Sequence, residues 1–231
     1  MAPQSSSYTD YLRCADDARF SVWLRHCAEP YWREMVKHRF VRDVATDSLG
    51  PGVLERYLVY EYAFVRAAVK IFGHALIKTS DLSNQRALVR VLDGLTGDQI
   101  DYFNATFKRL NIRPEQIERS PHPGDVEAFR DEMLGLAANG SYEEIIAGIT
   151  AAEWVYLAWC LEAEQNAPSN PVCAEWIALH TAPAFTDQVR WLRDQLDQRS
   201  PQLSPRHQSR LAKAFRRTLQ LEIAFHDASY V

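Results

Sequence analysis

Three glutamates stand where the surrounding pattern asks for apolar side chains. Between residues 54 and 72, the positions recurring at three- and four-residue spacing read Leu54, Tyr57, Leu58, Glu61, Phe64, Val65, Ala68 and Phe72, which puts Glu61 on the inward stripe of a helix. The segment from Tyr142 repeats this with Ile145, Ile146, Ile149, Glu153, Tyr156 and Cys160. The last segment repeats it with Leu211, Phe215, Thr218, Glu222 and Phe225. An ionised carboxylate inside a protein costs several kcal/mol unless it is paired, hydrogen-bonded or protonated. Three such acids are explained together if their helix faces line one polar cavity, as bundle proteins build their sites. The alternative for each is a rim position beside an arginine such as Arg56, Arg66 or Arg217.

Aromatic residues accompany the acids: Tyr57, Tyr60, Tyr62 and Phe64 around Glu61, Trp154 and Tyr156 around Glu153, and Phe225 near Glu222. Singly, an aromatic at helical spacing is core, and Trp154 and Phe225 fit that description. Together with the acids they suit a flat, nitrogen-rich heteroaromatic ligand. Rings stack on it, while carboxylates accept from its amino group or, when protonated, donate to its ring nitrogens.

Helices must hold such a cavity. Glycine is sparse, with 9 in the chain, and no segment alternates convincingly, so the pattern predicts an all-α protein. Helices are expected over about 7–28 and 31–46, then, after the Asp47 to Pro51 turn, up to about Leu76. A fourth covers about 83–110, with Gly94 and Gly97 as breaks. Arg119 to Pro123 forms a loop before a shorter helix to about Ala138. Further helices cover about 142–164, 172–180 and 183–198, with a loop at Asn166 to Pro171. Ser204-Pro205 caps a last helix reaching about Ser229. No repeat or long linker divides the chain, so residues 11–231 are expected to form a single domain behind a flexible tail, residues 1–10.

Composition bounds the partners. A net charge of -4 with a pI near 6.0 and no basic run gives no face for a phosphate backbone, so nucleic acid is excluded. The N-terminus lacks a signal-peptide pattern and no stretch approaches about 18 apolar residues. A cytoplasmic protein without membrane association is expected. Cys14, Cys27, Cys160 and Cys173 are scattered without zinc spacing and read as reduced thiols, Cys160 as ordinary helix filling.

Several of these segments resemble the TenA family, helical proteins with the haem-oxygenase-like fold. His38-Arg39-Phe40-Val41 with Thr46-Asp47-Ser48-Leu49 is similar to the family's H-x-F-V and D-G-x-L entry. Tyr57-Leu58-Val59-Tyr60-Glu61-Tyr62-Ala63-Phe64-Val65 is similar to its Y-L-x-Q-D-Y-x-F-x helix. Ala152-Glu153-Trp154-Val155-Tyr156 falls where one subclass carries a nucleophilic cysteine and the other a neighbouring glutamate. Leu221-Glu222-Ile223-Ala224-Phe225-His226 resembles the closing E-x-x-F-W helix. The likeness runs from about residue 30 to 231, and the order and spacing of the motifs carry it.

The resemblance implies a haem-oxygenase-like bundle and a site. Glu61 takes the place of an aspartate that binds a pyrimidine's amino group, Phe64 that of a pocket tyrosine or phenylalanine, and Ala152 that of the cysteine. Glu153 and Tyr156 match the glutamate subclass, and Glu222 matches the acid/base glutamate. His180 stands near a family tyrosine, and Phe129 replaces another. Tyr57, Tyr60 and Phe225 complete the expected binding residues. The implied activity is hydrolysis of thiamin-derived aminopyrimidines, the aminomethyl compound or its formyl derivative, in thiamin salvage. It needs no cofactor and no cysteine nucleophile, and the implied assembly is a homodimer or homotetramer. The departures are Glu61 for aspartate, Tyr60 for glutamine and His226 for tryptophan. The extra methylene at Glu61 moves its carboxylate by about 1.5 Å, enough to re-aim a hydrogen bond.

Two other readings use the same residues. Relatives on this scaffold hold two metal ions through carboxylate and histidine, and Glu222 with His226 makes an i, i+4 pair that Glu61, Glu153 and His180 would complete for oxidative chemistry. Against it, the Glu61 helix has no histidine one or two turns on, the next being His74. The second is a non-enzymatic member that binds a small aromatic molecule or a protein partner.

Overall fold

Apolar stripes at helical spacing fold nearly every described segment into helix, and the computed structural model describes residues 7–118 and 122–231. In chain order the helices are α1 (Tyr8–Tyr11), α2 (Phe20–Cys27), α3 (Tyr31–Val36), α4 (Arg39–Ala45), α5 (Val53–Lys78) and α6 (Leu82–Gly94). A π-helical turn at Leu95–Gln99 leads into α7 (Ile100–Arg109) and α8 (Pro114–Ile117). Then come α9 (Gly124–Asn139), α10 (Tyr142–Glu164), α11 (Pro171–Thr181), α12 (Pro183–Arg199) and, after a 3-10 turn at Ser200–Gln202, α13 (Pro205–Ala228). No strand occurs among the described residues.

The centre is α10, flanked by α5, α9, α11, α12 and α13. Its start is fixed by a capping box in which Ser141 accepts from the Glu144 amide and Glu144 accepts from the Ser141 amide. Gly148 lets α9 approach closely, since a Cβ there would lie 2.7 Å from Leu136 Cδ2. A window within Tyr142–Glu164 has a mean hydropathy of 1.3, long and apolar enough to cross a membrane, which corrects the expectation that no stretch approaches that length. The neighbouring helices account for it: 78% of that window is buried inside the bundle. Trp159, Tyr57, Phe40, Phe129, Phe215 and Phe225 are among the largest fully buried side chains of one continuous core.

The structure breaks several expected helices for local reasons. The stretch over 7–28 splits into α1 and α2 because Asp17 folds back to accept from the Arg19 amide at 3.1 Å, a turn that competes with helix. Within the expected tail, Tyr8–Tyr11 is helical, with Tyr8 buried against Phe20 and Trp23; residues 1–6 lie outside the described part. The stretch over 31–46 splits at His38, whose Nδ1 accepts from the Phe40 amide and caps α4. The loop expected at 119–123 falls largely on residues 119–121, outside the described part, and follows the unexpected helix α8. Gly52, at a φ of 75°, turns the chain into α5, and Ser204 with Pro205 starts α13 as expected. Asp47 ties down the 166–170 loop by accepting from the amides of Ser169 and Asn170 at 2.8 and 3.1 Å.

Candidate active site

Glu61 on α5, Glu153 on α10 and Glu222 on α13 line one small cavity of about 40 Å³ in the middle of the bundle. The helices aim them there because each acid shares its stripe with core residues: Leu58 and Val65 on α5, Ile149 and Cys160 on α10, and Phe215 and Phe225 on α13 are all buried. Glu222 is 1% exposed and Glu61 7%. Phe64 and Val65 of α5, Ala152 and Tyr156 of α10, and His180 of α11 supply further walls. At its mouth, Leu95, Gln99, Glu153 and Phe185 line both this cavity and an outer pocket of about 500 Å³ bounded by α6, the π turn and α12.

Among the described residues no arginine neutralises the acids. Arg56 donates to the Ser229 carbonyl at 2.8 Å, Arg217 pairs with Glu132, and Arg66 lies over the Tyr62 ring. What surrounds the carboxylates is neutral and polar. Tyr156 Oη donates to Glu61 Oε2 at 3.0 Å and lies 2.9 Å from Tyr57 Oη and 3.4 Å from His226 Nε2. Gln188 Nε2 donates to Glu153 Oε2 at 3.0 Å. Glu222 Oε2 and Gln99 Oε1 are buried with no hydrogen-bond partner among the described residues, an unusual state for buried polar atoms.

Burial without cations dominates the proton affinities. It raises Glu61 to about 7, with the Tyr156 and Tyr57 hydroxyls opposing the rise. Glu153 is raised to about 8 by burial and then by the charge of Glu61, against the pull of Gln188. Glu222 is held well above the usual carboxylate range by burial and then by Glu61 and Glu153. Burial pushes His180 down to about 4 and His226 to about 3, so both are neutral near pH 7. The cavity therefore joins proton-holding carboxyls to neutral imidazoles, a set suited to proton transfer near pH 7.

Both histidines turn Nδ1 to the helix one turn back: His180 to the Trp176 carbonyl and His226 to the Glu222 carbonyl, each at 2.8 Å. His226 Nε2 faces Tyr156. Among the described residues no group of three or more histidines, cysteines, aspartates and glutamates is arranged to hold a metal ion. With Nδ1–H donating to the Glu222 carbonyl, His226 Nε2 keeps its lone pair and points it toward Tyr156 Oη.

Of the residues singled out in the sequence, Glu61, Glu153, Glu222, Tyr156, Phe64 and His180 line the cavity. Tyr57, Tyr60, Phe129 and Phe225 stand behind its wall. Phe129 stacks on Phe64 at 4.1 Å, Phe225 packs on Phe129, Tyr60 meets His122 and Phe225, and Tyr57 reaches in only through Tyr156. Tyr60 adjoins Glu61 in sequence, and one residue along a helix is about 100° around it. Tyr156, expected beside Glu153, reaches across to Glu61, and Gln188 takes its place. Gln99, Gln188 and Phe185 gave no sequence signal, since glutamine on a half-polar helix face is ordinary.

The profile of the TENA/THI-4/PQQC family matches residues 25–231. A protein of Halalkalibacterium halodurans named aminopyrimidine aminohydrolase is 26% identical over 213 residues, 91% of this chain and 95% of its own. A TenA homologue from Pyrococcus furiosus superposes with a TM-score of 0.85 at 19% identity, covering 91% of this chain and 100% of that one. A Shewanella denitrificans domain described as having a heme oxygenase-like fold gives 0.70 at 13% identity, covering 90% and 91%. The fold is the haem-oxygenase-like bundle that the sequence motifs imply.

Proposed function

The chain belongs to the TENA/THI-4/PQQC family, and from that premise we propose that it hydrolyses a thiamin-derived aminopyrimidine, converting the aminomethyl compound or its formyl derivative to hydroxymethyl-pyrimidine. The observation that carries this reading is the meeting of Glu61, Glu153 and Glu222 around one small cavity that opens to a larger outer pocket, with no cation between them among the described residues. The related Halalkalibacterium halodurans protein bears the name of that activity.

For the free amine the balance is R–CH2–NH2 plus water giving R–CH2–OH plus NH3, with one proton given up by Glu222 and one taken up by Glu153. Glu61, oriented by the Tyr156 hydroxyl, accepts from the ring's amino group. Phe64, backed by the stacked ring of Phe129, covers one face of the pyrimidine. Glu222 keeps a proton at neutral pH and gives it to the ring nitrogen or the departing amine. Glu153, steadied by Gln188, takes a proton from the attacking water. It needs its ionised form for this, and with a pKa of about 8 that form grows in as pH rises through neutrality. Tyr156 acts through Glu61 and is a positioning residue.

No thiolate enters. Ala152 lies in the cavity wall, while Cys160 is fully buried with its thiol pushed well up by that burial. On the same reading the bundle, with α1 packed onto it through Tyr8, acts as one domain in the cytoplasm, as a homodimer or homotetramer. Sedimentation velocity tests the assembly.

The activity is tested by incubating purified protein with 4-amino-5-aminomethyl-2-methylpyrimidine and following the hydroxymethyl product by mass spectrometry. Product formation linear in enzyme is expected. No product at micromolar enzyme ends the proposal.

A further inference from the structure

The neck between the two cavities contains a polar atom that the proposed reaction has not used. Gln99 lies at the end of the π turn, and Leu95, four residues before it, lines the same mouth. A π-helical turn carries one more residue than an α turn and is frequent at functional sites. Gln99 Oε1 is buried and accepts no hydrogen bond from the described residues. A buried acceptor left open costs about 1–3 kcal/mol, so a position that keeps one is suited to a ligand donor.

The layout says which donor. Glu61, Glu222 and His180 lie only on the inner cavity, whereas Glu153 and Gln99 border both cavities. At about 40 Å³ the inner cavity is smaller than a pyrimidine, so a ring reaching Glu61 and Glu222 must open it toward the outer pocket, which brings its exocyclic methylene arm beside Glu153 and Gln99 at the neck. Gln99 flanks that arm together with Phe185.

We propose that Gln99 is a substrate-binding residue whose side-chain carbonyl accepts a hydrogen bond from the donor on the exocyclic methylene, the N–H of the substrate and the O–H of the product. The assignment rests on the aminopyrimidine reading above. It makes the π turn a selector for rings that bear a donor on this arm, with room in the outer pocket for a further substituent on the nitrogen.

Two probes that are not hydrolysed separate arm from ring: the hydroxymethyl product, and 4-amino-2,5-dimethylpyrimidine, which lacks the donor. Calorimetric titration of the wild type, Gln99→Met and Gln99→Glu gives the comparison, with thermal melting as the control for folding. Gln99→Met keeps the length and removes the acceptor. It is expected to weaken the hydroxymethyl compound about fivefold, as one neutral hydrogen bond allows, and to leave the dimethyl compound within about twofold. Gln99→Glu restores an acceptor and should recover the preference. Equal weakening of both probes by Gln99→Met, or weakening of neither, overturns the assignment and leaves the aminopyrimidine reading standing. A wild type that binds neither probe overturns both.

Discussion

Replacing Glu61 with glutamine should change how stability depends on pH, by an amount fixed by the burial of that carboxyl. In the fold its pKa is about 7 against 4.5 for the free group. A raised acid keeps its proton in the native state over a range where the unfolded chain has lost it. Stability is therefore fully present below about pH 4.5 and is lost as pH climbs to about 7. The difference of about 2.5 pKa units corresponds to about 3 kcal/mol at 1.36 kcal/mol per unit. Glutamine does not titrate, and its carbonyl can still accept from Tyr156 Oη. Urea unfolding of both proteins from pH 4.5 to 8 should show the variant gaining about 3 kcal/mol relative to the wild type, or on the order of 10 °C in melting temperature for a chain of this size. Because Glu61 also raises Glu153 and Glu222, its loss eases both neighbours in the same direction. Two curves that stay parallel within about 1 kcal/mol would refute a buried, cation-free Glu61.

Glu153→Gln and Glu222→Gln should each lower kcat by 10²–10⁴, the usual worth of a positioned acid or base, while circular dichroism stays unchanged. The pH profile of kcat/KM should rise with a midpoint near 8, as Glu153 ionises, and Glu153→Gln should abolish that limb. Gly148→Ala puts a methyl group 2.7 Å from Leu136 Cδ2, the movable tip of a side chain, so the helix propensity gained offsets the crowding and stability by urea titration should stay within about 1 kcal/mol of the wild type.

The fold and the acids of the site were legible in the sequence for the same reason. Apolar stripes defined the helices, and a carboxylate such as Glu222 standing on a stripe is a conspicuous exception to it. The aromatic neighbours were less legible because proximity in sequence is not proximity around a helix. Tyr60 next to Glu61 packs against His122 and Phe225, while Phe185, from a helix far along the chain, closes the cavity. Gln99 and Gln188 were invisible because nothing in their local pattern is unusual; only the folded arrangement leaves one with an unpartnered oxygen and the other against Glu153. The π turn was foreshadowed only by Gly94 and Gly97, which mark a weak point without giving its geometry.

If Glu61, Glu153 and Glu222 together form the pocket for an aminopyrimidine, a crystal structure with the hydroxymethyl product bound will show the inner cavity opened by the ring, with its amino group on Glu61, its face against Phe64 and its hydroxymethyl arm toward Glu153. Product bound solely in the outer pocket or on the surface, with the inner cavity closed, would rule that pocket out.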